Sequence, residues 1–305
     1  MRGWRRFRYF IVGREYDQGI VFKCFLYLIF ICTAYIYLNP IFYMLSTLFK
    51  GYNDLLDPTV TWIPTELFLG HLEYAWDALH YSRSFMISLG VSGLSAVFHC
   101  FSCAVAGYAF ARLQFPMKKL WFACLILSFI MPAQVIILPT ILAFNELGFS
   151  NSIVTLIIPS LFGHGVRGAL FVIIFRQFFM TQPKELEEAA RMDGANAVRI
   201  FLKVVYPLAK PAILVVFLFT FVWTWNDIYY PTMFLTGAEV VPLSAQMSRL
   251  DMAIQSLMQK GTAPAIYFEP IKMGASFLVI MPPLVLYTFA QRWFIESVER
   301  TGIVE

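Results

Sequence analysis

Charged residues are scarce in this chain of 305 residues, where only 14% of positions are Asp, Glu, Lys or Arg. Apolar residues make up 59% of the sequence, and the mean hydropathy is +0.67. A soluble domain carries roughly 25% charged residues, so this composition excludes an ordinary water-soluble globular protein. The sequence predicts an all-α integral membrane protein instead.

Several catalytic motifs are also missing. The sequence contains no GxxxxGK[ST] phosphate loop, no His-Glu-x-x-His metal pair and no Gly-x-Ser-x-Gly nucleophile elbow. Its five cysteines all fall inside apolar runs, and the spacing of Cys100 and Cys103 lacks the second pair that a metal or redox site would need. We therefore expect a chain that is not an enzyme and that holds neither a metal nor a cofactor of its own.

The apolar residues are gathered in long runs. A helix needs about 20 apolar residues to cross a bilayer, and six runs reach that length. They predict six transmembrane helices, at about residues 20–46, 83–111, 119–143, 153–179, 207–235 and 273–294. Prolines and glycines interrupt the third and fourth runs, which predicts broken helices facing a bundle interior or a pathway.

Basic residues give the expected orientation. Arginines precede the first run and basic residues flank the polar stretch after the fourth, whereas the loop after the first run is acidic. The positive-inside rule then predicts that both termini are cytoplasmic. Residues 1–18 form a basic segment that either lies on the membrane surface or is a disordered tail. Because topology explains the net charge of +4, we do not expect nucleic-acid binding.

One polar stretch, residues 181–206, lies between the fourth and fifth runs. Thr181 as a cap and Pro183 in a first turn predict the start of a short helix, and Asp193-Gly194 predicts its end. On this helix the small residues Ala189 and Ala190 lie beside charged residues. From the residues alone, the stretch is either a docking surface or a solvated loop in which Glu187 and Arg191 pair at i and i+4.

The spacing within this stretch resembles the EAA loop of membrane subunits of ATP-binding-cassette importers. Glu188-Ala189-Ala190 is followed by Asp193-Gly194 and by Tyr206-Pro207, with Val and Tyr at two positions where the family usually has Ile and Leu. The resemblance implies a cytoplasmic coupling helix that contacts a separate ATPase. It assigns that contact to Glu187, Glu188, Ala189, Ala190, Arg191, Asp193 and Gly194.

Further motifs are similar to carbohydrate importers of the maltose type, second-permease class, over about residues 80–300. They are residues 107–112 (GYAFAR), 131–132 (MP), 225–231 (WNDIYYP) and 291–294 (QRWF). This resemblance implies a type I importer permease fold of 19–305, half of a translocation pathway for an oligosaccharide-class solute, and a location in the bacterial inner membrane. The implied partners are a homologous second permease, two copies of an ATPase that binds ATP and Mg, and an extracytoplasmic solute-binding protein, which Arg249 and Asp251 would contact.

Polar residues within the apolar runs are candidates for the pathway because ionisable groups in a membrane usually face the interior. For Arg167 two hypotheses stay open: it contacts the hydroxyls or a carboxylate of the solute, or it pairs structurally with Asp227 or a partner subunit. His99 is expected to be packed and hydrogen-bonded. The pathway candidates are His164, Arg167, Asn226 and Asp227.

Two other classes of protein share some of these features. An ion-coupled secondary transporter also has broken helices, but its halves usually repeat each other in inverted topology, and no such similarity is visible here. A membrane-embedded enzyme would need clustered acid, base or metal residues, and the interior polar residues are too scattered for that.

Overall fold

A computed structural model describes residues 19–302 of the chain, and side chains as far as residue 292. The predicted segment 1–18 lies outside the described residues. Helices account for nearly all the regular structure there. In chain order they are α1 Ile20–Phe49, α2 Tyr52–Leu56, α3 Gly70–Ala78, α4 Tyr81–Arg112, α5 Lys118–Ile130, α6 Ala133–Glu146, α7 Val154–Leu161, α8 Gly168–Thr181, α9 Glu185–Met192, α10 Ala197–Ile200, a π-helical turn Phe201–Val205, α11 Tyr206–Leu208, α12 Lys210–Trp225, α13 Tyr229–Phe234, α14 Leu243–Gln259, a 3-10 turn Ala265–Tyr267 and α15 Phe268–Gly302.

The all-α fold is confirmed, and several predicted spans coincide with helices. Three described helices are long and apolar enough to cross a membrane, Ile20–Phe49, Tyr81–Arg112 and Ala265–Arg292, and the count rises to five if each of two bent helix pairs forms one span. The number of six stays a prediction.

Helix α4 is the centre of the bundle. It packs most extensively on α8 and on α12, and it also contacts α7 and α14. Small residues make this possible, because a Cβ added to Gly107 would lie 2.6 Å from the Cβ of Phe175 on α8. Cys103, Gly107 and Ala111 repeat small residues every four positions along α4, a pattern that lets helices approach closely.

The interruptions of the third and fourth runs are real breaks. Helices α5 and α6 are bent by 101° at residues 131–132. Residues 162–167 separate α7 from α8, and Arg167 there has a left-handed φ of 57°. The side chains of α4 satisfy freed carbonyls of this break, since Ser102 Oγ donates to the carbonyl of Ser160 at 2.8 Å. The broken backbone is thus stabilised by protein contacts, as a bilayer requires.

The end of the fifth run differs from the prediction. The fifth run, predicted to be one span over 207–235, ends as a helix at Trp225, and α13 follows as a separate short helix. The stretch 236–272 lies between the fifth and sixth predicted runs. It contains the 17-residue helix α14, whose inner face is buried at Leu243, Leu250 and Ile254. Contacts with α4 and α3 fold this segment onto the bundle.

Candidate functional site

Helix α9 occupies the predicted polar stretch but begins later than expected. Its first residue is Glu185, and Pro183 lies in the short link before it. The predicted cap at Thr181 is wrong. Thr181 is the last residue of α8, and its Oγ1 donates to the carbonyl of Phe178 at 2.7 Å. Because the hydroxyl bonds back into its own helix, it ends α8 rather than starting α9.

The turn after α9 has the predicted form. Gly194 adopts a φ of 78°, a left-handed conformation that glycine takes without strain, and the amides of Gly194 and Ala195 donate back to carbonyls of α9. The next helix is capped by Asn196, whose side chain accepts from the backbone amide of Arg199 at 2.9 Å. This cap was missed, although an Asn before an apolar turn is its usual signal.

The inner face of α9 carries Glu187, which is only 5% exposed. Its Oε1 lies 3.0 Å from Nε of Arg112, and its Oε2 accepts from the hydroxyl of Tyr108 at 3.1 Å. The expected ion pair with Arg191 is present but longer, at 3.9 Å. Glu187 is thus engaged within its own chain, and its predicted contact with an ATPase stays a prediction. Ala190, half-buried against the bundle core, shares this inner face.

The outer face of α9 is apolar at its centre. Leu186 is 44% exposed and Met192 is 88% exposed, and the exposed Ala189 lies between them at a spacing of three residues. The exposed charged residues of the predicted contact flank this stripe, and they are Glu188, Arg191 and Asp193. A helix in water normally turns its apolar side inward. Here a carboxylate is buried and the apolar stripe is exposed.

A second candidate site lies at the break in the fourth run. An open cleft of about 400 Å³ is lined by residues from α5, α6 and the break, including His164 and Arg167. A smaller cavity of about 50 Å³, lined by Thr140, Thr155 and Asp227, shares His164 and Tyr230 with the cleft. Ligand pockets usually measure about 300–1,000 Å³, so the cleft has the volume for a small solute and the cavity does not.

Arg167 and Asp227 do not form the structural pair that is one of the two hypotheses for Arg167. The guanidinium of Arg167 lies 4.9 Å from the ring centre of Trp223, a cation–π contact. Asp227 instead caps α13, because its Oδ1 accepts from the backbone amides of Tyr229 and Tyr230 at 3.0 and 3.4 Å. Asn226 is exposed and donates to the carbonyl of Val222. The structure thus places only His164 and Arg167 at the cleft.

His99 is buried and hydrogen-bonded, as predicted. Its Nε2 lies 2.9 Å from the carbonyl oxygen of His164, and its Nδ1 lies 3.4 Å from Oγ1 of Thr220. Its contribution is structural, since it ties the break between α7 and α8 to α4.

Comparison with known proteins identifies the family. Residues 104–300 match the model of the family described as binding-protein-dependent transport system inner membrane component. The chain belongs to this family. It is therefore a multi-pass protein of the inner membrane, and the predicted family resemblance is confirmed.

Two related proteins are moderately similar to this chain in sequence. The sn-glycerol-3-phosphate transport system permease protein UgpE of Yersinia pestis bv. Antiqua (strain Antiqua) is 33% identical over 193 residues, which cover 63% of this chain and 64% of that protein. This match therefore spans less than two thirds of the relative's length. The osmoprotective compounds uptake permease protein GgtD of Synechocystis sp. (strain ATCC 27184 / PCC 6803 / Kazusa) is 27% identical over 273 residues, or 87% of each chain.

A solved structure has the same fold. It is a crystal structure of a bacterial ABC transporter involved in the import of the acidic polysaccharide alginate. The TM-score is 0.76 at 21% identity, and the match covers 90% of this chain and 96% of that chain. At this identity the similarity establishes the shared permease fold.

The residues of this chain that are predicted to contact a binding protein differ in exposure. Arg249 donates to the carbonyls of Ala238 and Leu235 at 2.9 and 3.1 Å, so two of its donors hold the turn before α14. Asp251 is exposed and lies 3.3 Å from Nζ of Lys272. Asp251 has the exposure that a contact needs, whereas Arg249 has a role within the chain.

Proposed function

We propose that this chain is the permease subunit of an ATP-driven carbohydrate importer. It forms half of the translocation pathway with a homologous second permease, and two copies of a cytoplasmic ATPase bind ATP and Mg and supply the energy. A solute-binding protein delivers the solute from outside. Membership of the binding-protein-dependent transport family and the importer fold support this proposal.

The observation that supports this proposal best is the exposed apolar stripe on the outer face of α9. An exposed stripe of Leu186, Ala189 and Met192 gains free energy when another protein covers it, at about 25 cal/mol per Å² of buried apolar area. The flanking charges of Glu188 and Asp193 exclude lipid tails as the cover and suit a polar protein rim. In this proposal an ATPase subunit covers the stripe, and α9 is the coupling helix. Helix α9 and both termini then face the cytoplasm.

The contact is tested by co-purification. We expect the ATPase to leave the complex when Met192 is replaced by Asp, because a charge would be buried without a partner. Glu188→Lys reverses a charge of the rim and should weaken binding and abolish transport-coupled ATP hydrolysis while membrane insertion stays intact. Glu239→Lys makes the same charge change at an exposed position far along the chain from α9 and should have no effect.

The outcomes separate the alternatives. Wild-type ATPase binding by a well-inserted Met192→Asp chain would refute the role of α9. Solute uptake by the chain without any ATPase, driven by an ion gradient, would favour the secondary transporter.

The cleft is the proposed solute contact in this subunit. Arg167 can hold a carboxylate or phosphate through charge-assisted hydrogen bonds, or hydroxyls through its N–H donors, and its guanidinium is itself positioned by the half-buried ring of Trp223. The relatives transport sn-glycerol-3-phosphate or osmoprotective compounds by name, and the structural neighbour serves an acidic polysaccharide. These names support a polar, hydroxyl-rich solute for this chain.

Transport assays with Arg167→Gln decide between the two contacts. If Arg167 binds an acidic group, transport of acidic sugars falls by about tenfold or more, the equivalent of 1.4 kcal/mol, while neutral sugars are less affected. If it binds hydroxyls, both classes fall together. Unchanged transport of every solute would remove Arg167 from the pathway.

A further inference from the structure

The buried acid of α9 is held by the last two turns of α4. Arg112 contacts Glu187 at 3.0 Å, and each side chain is only 7% exposed. Arg112 also donates to the carbonyl of Gln182, just ahead of α9. Tyr108, one turn earlier on α4, donates to the second oxygen of Glu187 at 3.1 Å. One helix therefore grips both the start and the inner face of α9.

Because the ion pair between Arg112 and Glu187 is buried, separating α9 from α4 has a high free-energy cost. A charge that loses its partner in a buried place is left without water or counter-charge, so pulling α9 away from α4 is costly. Arg191 adds little, because its side chain is 60% exposed and 3.9 Å from the carboxylate. The ring of Tyr108 is itself fixed, since it packs edge-on against Phe179 at 5.8 Å.

We propose that Arg112 and Tyr108 are positioning residues that clamp α9 to α4, so that a displacement of α9 moves α4 directly. The inference rests on the proposed contact between α9 and the ATPase. Helices α8 and α12 follow α4 because they pack on it.

Contacts along α4 indicate which parts of the chain a movement of this helix would reach. His99 and Ser102 hold carbonyls of His164 and Ser160, so α4 is tied to the wall of the cleft. At the other end, Oγ of Ser88 accepts from the amide of Leu243, the first residue of α14, at 2.7 Å. Ser88 and Arg112 are about 36 Å apart along one uninterrupted helix. Movement of the clamped end therefore reaches both the cleft and α14.

Hydrogen exchange of the full chain in nanodiscs tests the clamp without any ATPase. We expect the amides of α9 to exchange about tenfold faster or more in Arg112→Gln, because α9 then opens independently of the bundle. Tyr108→Phe keeps the ring and loses one hydrogen bond, so it should give a smaller change in the same direction. Arg112→Lys keeps the charge and should restore part of the protection.

The control is Arg199→Gln, which removes an exposed arginine from the next helix and should leave α9 protected. Equal exchange of α9 in wild type, Arg112→Gln and Tyr108→Phe would overturn the clamp. Should Arg112→Gln fail to insert, Tyr108→Phe and Arg112→Lys still test it.

Transport in the reconstituted complex tests the transmission. In Arg112→Gln we expect the ATPase to stay bound and to hydrolyse ATP, while the solute transported per ATP falls about tenfold or more. A wild-type ratio despite faster exchange of α9 would refute transmission through α4. Failure of the wild-type chain to bind the ATPase would refute the proposed function instead, and the exchange result would still report on the clamp.

Discussion

Gly107 gives the sharpest test of how closely α4 packs against α8. A Cβ at this position would lie 2.6 Å from the Cβ of Phe175 and 2.9 Å from the backbone nitrogen of Arg176. Neither atom is the end of a flexible side chain, so Gly107→Ala forces the two helices apart. Overpacking of this kind costs roughly 1–3 kcal/mol.

The matched control is Gly93→Ala on the same helix, where an added Cβ meets nothing within 4 Å. Both substitutions gain the helix propensity of alanine, about 1 kcal/mol, so the difference between them isolates the steric cost. We expect Gly107→Ala to be less stable than Gly93→Ala by about 1–3 kcal/mol. Thermal unfolding of the purified chain in detergent should give a midpoint lower by a few degrees.

The result that would refute this reasoning is an equal midpoint for the two variants. It would mean that α4 and α8 separate without cost, and the direct transfer of movement from α4 to its neighbours would lose its basis. A lower midpoint for Gly93→Ala alone would show that α4 is packed on its other face.

Two further predictions concern a turn and a buried histidine. Gly194→Val should cost about 1–2 kcal/mol because a φ of 78° is left-handed, and we expect it to weaken ATPase binding in a pull-down, whereas Gly194→Asn, which tolerates this conformation, should bind as wild type. His71 on α3 is buried beside the rings of Phe68 and Tyr267, at 4.7 and 4.5 Å, and burial lowers its pKa below the usual 6.5. As the pH falls, the unfolded chain therefore binds the proton before the folded chain does. The contribution of His71 to the free energy of unfolding is complete above pH 6.5 and is lost as the pH drops towards the folded pKa. The thermal midpoint should fall over this pH range, and an equal fall in His71→Phe would contradict the prediction.

Local signals in the sequence predict much of the architecture. The breaks of the third and fourth runs follow from Pro132 and from the glycines of residues 163–168, because proline and glycine act on the backbone where they stand. Asp193-Gly194 predicts the end of α9 for the same reason. Family motifs add the prediction that α9 is a coupling helix, and the outer face of α9 carries the exposed charges Glu188 and Asp193.

Contacts between distant residues could not be predicted in this way. Glu187 meets Tyr108 across 79 positions of the chain, and no local pattern encodes such a pairing. Amphipathic periodicity predicts the wrong buried face for α9, because it would turn Leu186 and Met192 towards the bundle. The choice of Arg167 between Asp227 and Trp223 likewise depends on the path of the break, which the sequence does not specify.

The ion pair under α9 also explains how an apolar stripe can stay exposed before a partner arrives. Successive residues of a helix are rotated by about 100°, so a rotation of α9 by about that angle would carry Leu186 into the position of Glu187 and hide the stripe against the bundle. An apolar contact would tolerate that exchange. A buried carboxylate does not, because turning it outward leaves Arg112 buried and unpaired. A buried pair adds little stability compared with packed apolar residues, but it fixes the rotation of α9, and the proposed docking surface needs that rotation. Replacing both Arg112 and Glu187 by Met should therefore keep the fold and lose the partner.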